Sequence, residues 1–170
     1  MRSKIAVFLL LAFLCGCGYT TGSLVPAHIK TIYIETFTNK TNEPNIEVDI
    51  TNAVKDYFIR DGALKIANSK EEADSMLKGE IIGYDKEPLS YAANREIAEY
   101  QLVLTVNLTY IDLADDKILW QEKNFKADSE YYSTVRQEKF TSTNLDEEQL
   151  LKNAAKELAR EVVSRTVEGW

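Results

Sequence analysis

The chain has 170 residues, with 27 acidic against 20 basic side chains and a formal net charge of −7; that balance argues against a nonspecific nucleic-acid binder and against general adhesion to anionic lipid surfaces, since both present phosphates that would repel it. Hydrophobic residues make up 45% and aromatic residues 10%, the composition of a packed globular domain and not of a disordered chain. The length suits one domain around one hydrophobic core, and no internal repeat or low-complexity segment divides it.

Arg2 and Lys4 open the chain and Ile5 to Leu14 follow as ten consecutive apolar residues before Gly16. Ten residues at about 1.5 Å each cover about half of a hydrocarbon core roughly 30 Å thick, so the segment reads as a secretory signal and not as a spanning helix. Its end, Leu14-Cys15-Gly16-Cys17, resembles the bacterial lipobox. The resemblance implies that residues 1–16 are removed and that Cys17 is acylated as the first mature residue. Cys15 fits that role less well, because bulky Leu14 precedes it. With Cys15 lost and Cys17 consumed by lipid, no intramolecular disulfide is expected. Gly18 after Cys17, where an aspartate could stand, resembles lipoproteins passed on to the outer membrane. Residues 17–170 keep all 27 acidic side chains and lose only Arg2 and Lys4 from the basic ones, a net −9.

Residues 17–28 carry glycine, proline and threonine and read as a lipidated tether and lead-in loop, with a single domain over 29–170. Lys30 to Phe37, rich in β-branched and aromatic residues, is the first predicted strand. Thr38 to Glu43 is expected to turn. A helix follows, with Pro44 in its first turn and Ile46, Ile50, Ala53, Val54, Tyr57 and Phe58 on one face, stopped at Asp61-Gly62. A short strand is expected at 63–67 after it, then a polar linker at 68–74. Met76 to Tyr84 reads as a strand in which Gly79 and Gly83 mark a bulge or a close neighbour. A loop from Asp85 to Glu99 leads to the clearest strand, Tyr100 to Asp112, where Leu102, Leu104, Val106, Leu108 and Tyr110 alternate with a half-polar face. Ala114 to Lys117 is a hairpin turn into Ile118 to Ala127. Residues 128–144 form a long connection with Tyr131, Tyr132 and Phe140. The last helix opens at Asn144-Leu145-Asp146-Glu147 and turns Leu151, Ala154, Ala155, Leu158, Val162 and Val163 inward. The fold class is α+β: a two-layer sandwich with two helices on one face of a four- or five-stranded mixed sheet, ordered β-α-β-β-β-β-α.

Residue chemistry points away from an enzyme. His28 is the only histidine, and nothing around it supplies a nucleophile and an orienting carboxylate, so a loop hydrogen bond is its expected role. One histidine and no free thiol make a zinc or copper site improbable. Glu71-Glu72, Asp115-Asp116 and Glu147-Glu148 sit in a linker, a turn and a helix start, where solvation or capping accounts for them. No cofactor is implied, and no glycine-rich phosphate loop occurs.

Taken in order, Cys17-Gly18-Tyr19, Pro26 to Pro44, the Leu77 to Ile81 strand, Glu87 to Asp112 with Ala98-Glu99-Tyr100-Gln101 leading into the alternating strand, Lys117 to Trp120 and the closing helix resemble the LptE family. The resemblance implies a non-enzymatic outer-membrane lipoprotein of lipopolysaccharide assembly. Such a protein partners and plugs the LptD β-barrel, aids its assembly and meets lipopolysaccharide, facing the periplasm and the barrel lumen. On that reading the candidate contact residues are Lys86, Leu89, Tyr91 and Arg95 around the 85–99 loop. Arg95 is the first choice for a phosphate because its guanidinium donates two hydrogen bonds at once. A periplasm-facing α+β lipoprotein module of another secretion or envelope complex is the alternative.

Overall fold

The computed structural model describes residues 25–91, 97–129 and 143–169. Its elements in chain order are β1 (Thr31–Ile34), β2 (Thr38–Asn39), α1 (Ile46–Asp61), β3 (Lys65–Ile66), a 3-10 turn (Lys70–Glu72), β4 (Ser75–Tyr91), β5 (Ile97–Asp112), β6 (Lys117–Ser129) and α2 (Thr143–Val167). Cys17 and the expected signal segment, Arg95 of the expected 85–99 loop, and Tyr131, Tyr132 and Phe140 of the expected long connection lie outside the described residues.

One mixed sheet is built in the order β3-β1-β4-β5-β6, with β2 also paired to β4. β1 runs parallel to β3 and to β4, and β2 parallel to β4, while β4, β5 and β6 are antiparallel neighbours. The architecture is the α+β plan read from the sequence, enlarged to six strands by the two-residue β2. Alternation in β5 makes it the spine: Leu102, Leu104, Val106, Leu108 and Tyr110 are fully buried, whereas Thr105, Asn107 and Thr109 between them stay half-buried. One face is therefore covered and the other is more open.

The cover is two helices packed side by side. From α1 come Ile46, Ile50, Val54 and Phe58, fully buried, with Ala53 and Tyr57 at the margin. From α2 come Leu151, Ala154, Ala155, Leu158, Val162 and Val163, joined by Leu150 and Ala159. Both sets follow helical spacing and merge with the sheet residues into one core. Gly62 ends α1 at φ 76°, its N–H donating to the Phe58 carbonyl at 3.0 Å, the left-handed cap that glycine adopts without a Cβ penalty. No described helix is long and apolar enough to cross a membrane.

Three local expectations are corrected. Asn45 takes a left-handed φ of 66° as the N-cap residue of α1, so Pro44 lies in the preceding turn and the helix starts at Ile46. The first strand does not run unbroken to Phe37: after Ile34 the chain steps along β4 and re-pairs as β2, with Thr38 opposite Glu80 and Asn39 opposite Ile81. Phe37 turns inward at that step, and its ring lies where a Cβ on Gly79 would be, 2.4 Å away, so close approach explains that glycine. Gly83 follows a register shift at Ile82, so a bulge explains the other. The third correction is the largest. The stretch read as a loop from Asp85 to Glu99 is mostly strand, because β4 continues to Tyr91 and β5 begins at Ile97. Backbone pairing holds these polar residues in strand form where their own pattern shows no alternation. Pro88, which cannot donate to the ladder, sits beside register shifts at Pro88/Ser90 and Ser90/Tyr91.

Candidate functional site

Among the described residues, β6 accompanies β5 only as far as Leu102, opposite Ser129, and β1 and β2 accompany β4 only as far as Ile81. Past Lys86, opposite Leu102, β4 and β5 continue among the described residues as a two-stranded ribbon. The ribbon is the last part of β4, from Glu87 to Tyr91; the whole strand has 17 residues and at about 3.3 Å per residue spans about 50 Å. Gln101 Nε2 donates to Glu87 Oε2 across it at 3.3 Å.

Of the residues singled out from sequence, Lys86, Leu89 and Tyr91 lie on the strand β4. Lys86 stands at the root of the ribbon, exposed, with its ammonium 6.0 Å from the Tyr84 ring centroid, a contact contributing ~0.5–1 kcal/mol where solvent reaches it. Leu89 occupies the irregular position between Pro88 and Ser90, and Tyr91 closes β4 opposite Ile97. Arg95 falls between the two strand ends, outside the described residues, as does Cys17. Exposed Asp85 and Glu87 flank Lys86, so the described root of the ribbon is mixed in charge and makes no basic patch.

At the other end of β4 and β5 a polar cluster fixes the incoming chain. The Asp74 carboxylate accepts from the Lys30 N–H at 2.8 Å, the Thr31 N–H at 2.9 Å and the Thr31 hydroxyl at 2.9 Å. The Lys30 N–H above all, then Thr31, holds its carboxyl below the usual aspartate value. His28 Nε2 meets Asp112 Oδ2 at 2.7 Å, and the second Asp112 oxygen accepts from the Ala114 N–H at 3.0 Å. Tyr110 donates to Ser75 Oγ at 3.0 Å, and Ser75 donates to the Thr31 carbonyl at 2.9 Å. Burial pushes the Tyr110 phenol up to about 12. The His28–Asp112 pair has the form of a base and its orienting acid, yet the Ser75 hydroxyl already gives its proton to a backbone carbonyl. The arrangement binds the lead-in loop to the sheet end. No group of three His, Cys, Asp or Glu side chains able to hold a metal occurs among the described residues.

Sequence reading missed the long-range partners. His28 and Asp112 are 84 positions apart, and Arg165 of α2 pairs with Glu122 of β6 while lying 5.0 Å over the Phe125 ring. No local period signals either pair. On the open sheet face, polar groups satisfy one another: Asn107 Nδ2 donates to Glu80 at 3.0 Å, Gln121 Nε2 to Thr109 at 3.2 Å, and Lys78 stands 3.9 Å from Glu35.

A family model described as LptE, lipopolysaccharide-assembly, matches residues 29–166. No curated protein sequence matches the chain. Among solved structures, it is similar to a hypothetical protein from Chlamydia trachomatis, with TM-score 0.57 and 11% identity over 84% of this chain and 97% of that one. It is also similar to a PelC dodecamer protein from Paraburkholderia phytofirmans, with TM-score 0.54 and 14% identity over 86% and 95%. A minor lipoprotein from Acinetobacter baumannii gives TM-score 0.50 and 18% identity over 81% and 91%. At such identities the likeness is one of fold.

Proposed function

The chain belongs to the LptE family of lipopolysaccharide-assembly proteins, and from that premise we propose that it is a non-enzymatic outer-membrane lipoprotein, acylated at Cys17, which partners and plugs an LptD-type β-barrel. The family match across nearly the whole folded body carries this reading. Two features of the fold support it. The middle of the open sheet face is lined by mutually satisfied polar groups, the surface a water-filled barrel lumen accommodates and a bilayer core does not. The β4–β5 ribbon offers a reach of several residues beyond the body, with Lys86, Leu89, Tyr91 and Arg95 as the contacts to barrel or glycolipid.

Extraction of the intact lipoprotein from its membranes in mild detergent, followed by mass identification of what comes with it, tests the proposal. The expected result is a stoichiometric complex with a large outer-membrane β-barrel. Isolation alone or within a different envelope complex, the barrel being present in the same membranes, would overturn it in favour of a module for that other assembly.

A further inference from the structure

The open face of the sheet is polar across its middle rows, with buried Val103 toward the ribbon and an apolar row at the opposite end. In the row of side chains next to the tether, Tyr33 of β1 stands opposite Met76 of β4, Met76 opposite Ile111 of β5, and Ile111 opposite Ile118 of β6. These four apolar residues are laterally adjacent across four strands. Met76 is buried beneath the row, Tyr33 and Ile111 are half-buried, and Ile118 is 53% exposed. The next row along the strands is polar: Lys78 stands opposite Thr109 and Thr109 opposite Gln121, with Glu35 paired to Lys78. An apolar ledge four strands across, which is three strand spacings or roughly 15 Å, therefore borders a polar field. Its edge coincides with the sheet end where His28 and Thr31 are tied down.

We propose that this ledge rests on the surface of the membrane that holds the lipid anchor, so that the body is oriented by Tyr33, Ile111 and Ile118 and not merely tethered. The inference rests on acylation of Cys17 as proposed above. Only residues 18–24 separate Cys17 from the first described residue, Val25, and eight residue steps at about 3.5 Å hold that end within ~28 Å of the bilayer. Val25 packs against the core, so the fixed end cannot drift further by unravelling. The ribbon, at the other end of the same strands, is carried away from the lipid. Charge selects the kind of surface: a body of net −9, with Asp115 and Asp116 in the turn beside Ile118, suits a zwitterionic leaflet, while Lys117 next to Ile118 lies close enough to meet headgroup phosphates.

The test uses the acylated full chain in phosphatidylcholine vesicles containing a nitroxide-labelled lipid. An environment-sensitive fluorophore is placed at Ile118→Cys and, separately, at Gln121→Cys one row inward; both positions are exposed, so neither label disturbs the core. Quenching several-fold stronger at 118 than at 121 is the expected result. Equal, weak quenching at both sites, in protein that still floats with the vesicles, overturns the ledge and leaves the anchor standing. Protection of position 118 by self-association, or only when a barrel is present, overturns it as well. Failure to float, with an unmodified Cys17 by mass, removes the anchor and the ledge together.

Discussion

Gly79 sits where the Phe37 ring crosses β4, and any Cβ there would lie 2.4 Å from two ring carbons and 2.5 Å from a third. Gly79→Ala should therefore destabilise the fold by ~1–3 kcal/mol through overpacking, and the loss should shrink in the double variant with Phe37→Leu. Equilibrium denaturation of the two single variants and the double variant measures that coupling. Asp74 gives a residue-scale expectation of opposite character. Its carboxyl is held below the ordinary value of 3.8, chiefly by the Lys30 N–H and then by Thr31. The resulting stability is complete above that unfolded value and is lost as pH falls through the lower folded value. Asp74→Asn should thus be less stable than the parent at pH 7, and the gap should close as acid protonates the parent's carboxyl. Urea midpoints taken between pH 7 and pH 2 decide the matter; a gap that stays constant would show that the charge is not what stabilises. Neither effect was legible in the sequence beyond the mention of Gly79, because each depends on a partner more than 40 positions away.

Elements with an internal period are the most legible, and the outer half of β4, which has none, reads as loop. β5 and α2 announce themselves, since their apolar positions repeat at two and at three-to-four residues and every position assigned inward in them is buried. The outer half of β4 carries Asp85, Lys86, Glu87 and Pro88, which show no alternation. It is a strand because β5 pairs with it through Tyr91 opposite Ile97, and pairing between segments is invisible to a window moved along one of them. The consequence for the candidate site is geometric: Lys86, Leu89 and Tyr91 follow one another along the outer part of β4, which ends at Tyr91. A contact made there is separate from the core, so the double variant Lys86→Glu, Arg95→Glu should keep the parent's thermal midpoint while weakening lipopolysaccharide binding by about ten-fold or more, the effect of losing one or two charge-assisted hydrogen bonds. Unchanged binding to the purified chain would take both residues off the list.

At the scale of the molecule, the two ends of the β4–β5 pair divide the labour. One end is tied by Asp74, Asp112 and Ser75 to the residues that follow the tether, and the other continues past Lys86 as the two-stranded ribbon. Anchoring and partner contact are thus mechanically joined by a strand pair about 50 Å long, yet chemically independent. A chain exported by a cleavable signal but carrying Cys17→Ala should fold with the parent's melting midpoint, because no described core contact involves the lipid. It should then appear in the soluble periplasmic fraction, since two or more acyl chains are what hold such a body on a membrane. Its complex with the barrel should fall in yield without vanishing. The ribbon contacts survive, whereas the high effective concentration that a shared membrane provides is lost. Fractionation, a thermal melt and co-purification of the same variant read the three statements separately. Retention on the membrane would place the anchor elsewhere, a lowered midpoint would make the tether part of the fold, and complete loss of the complex would make the lipid itself a contact.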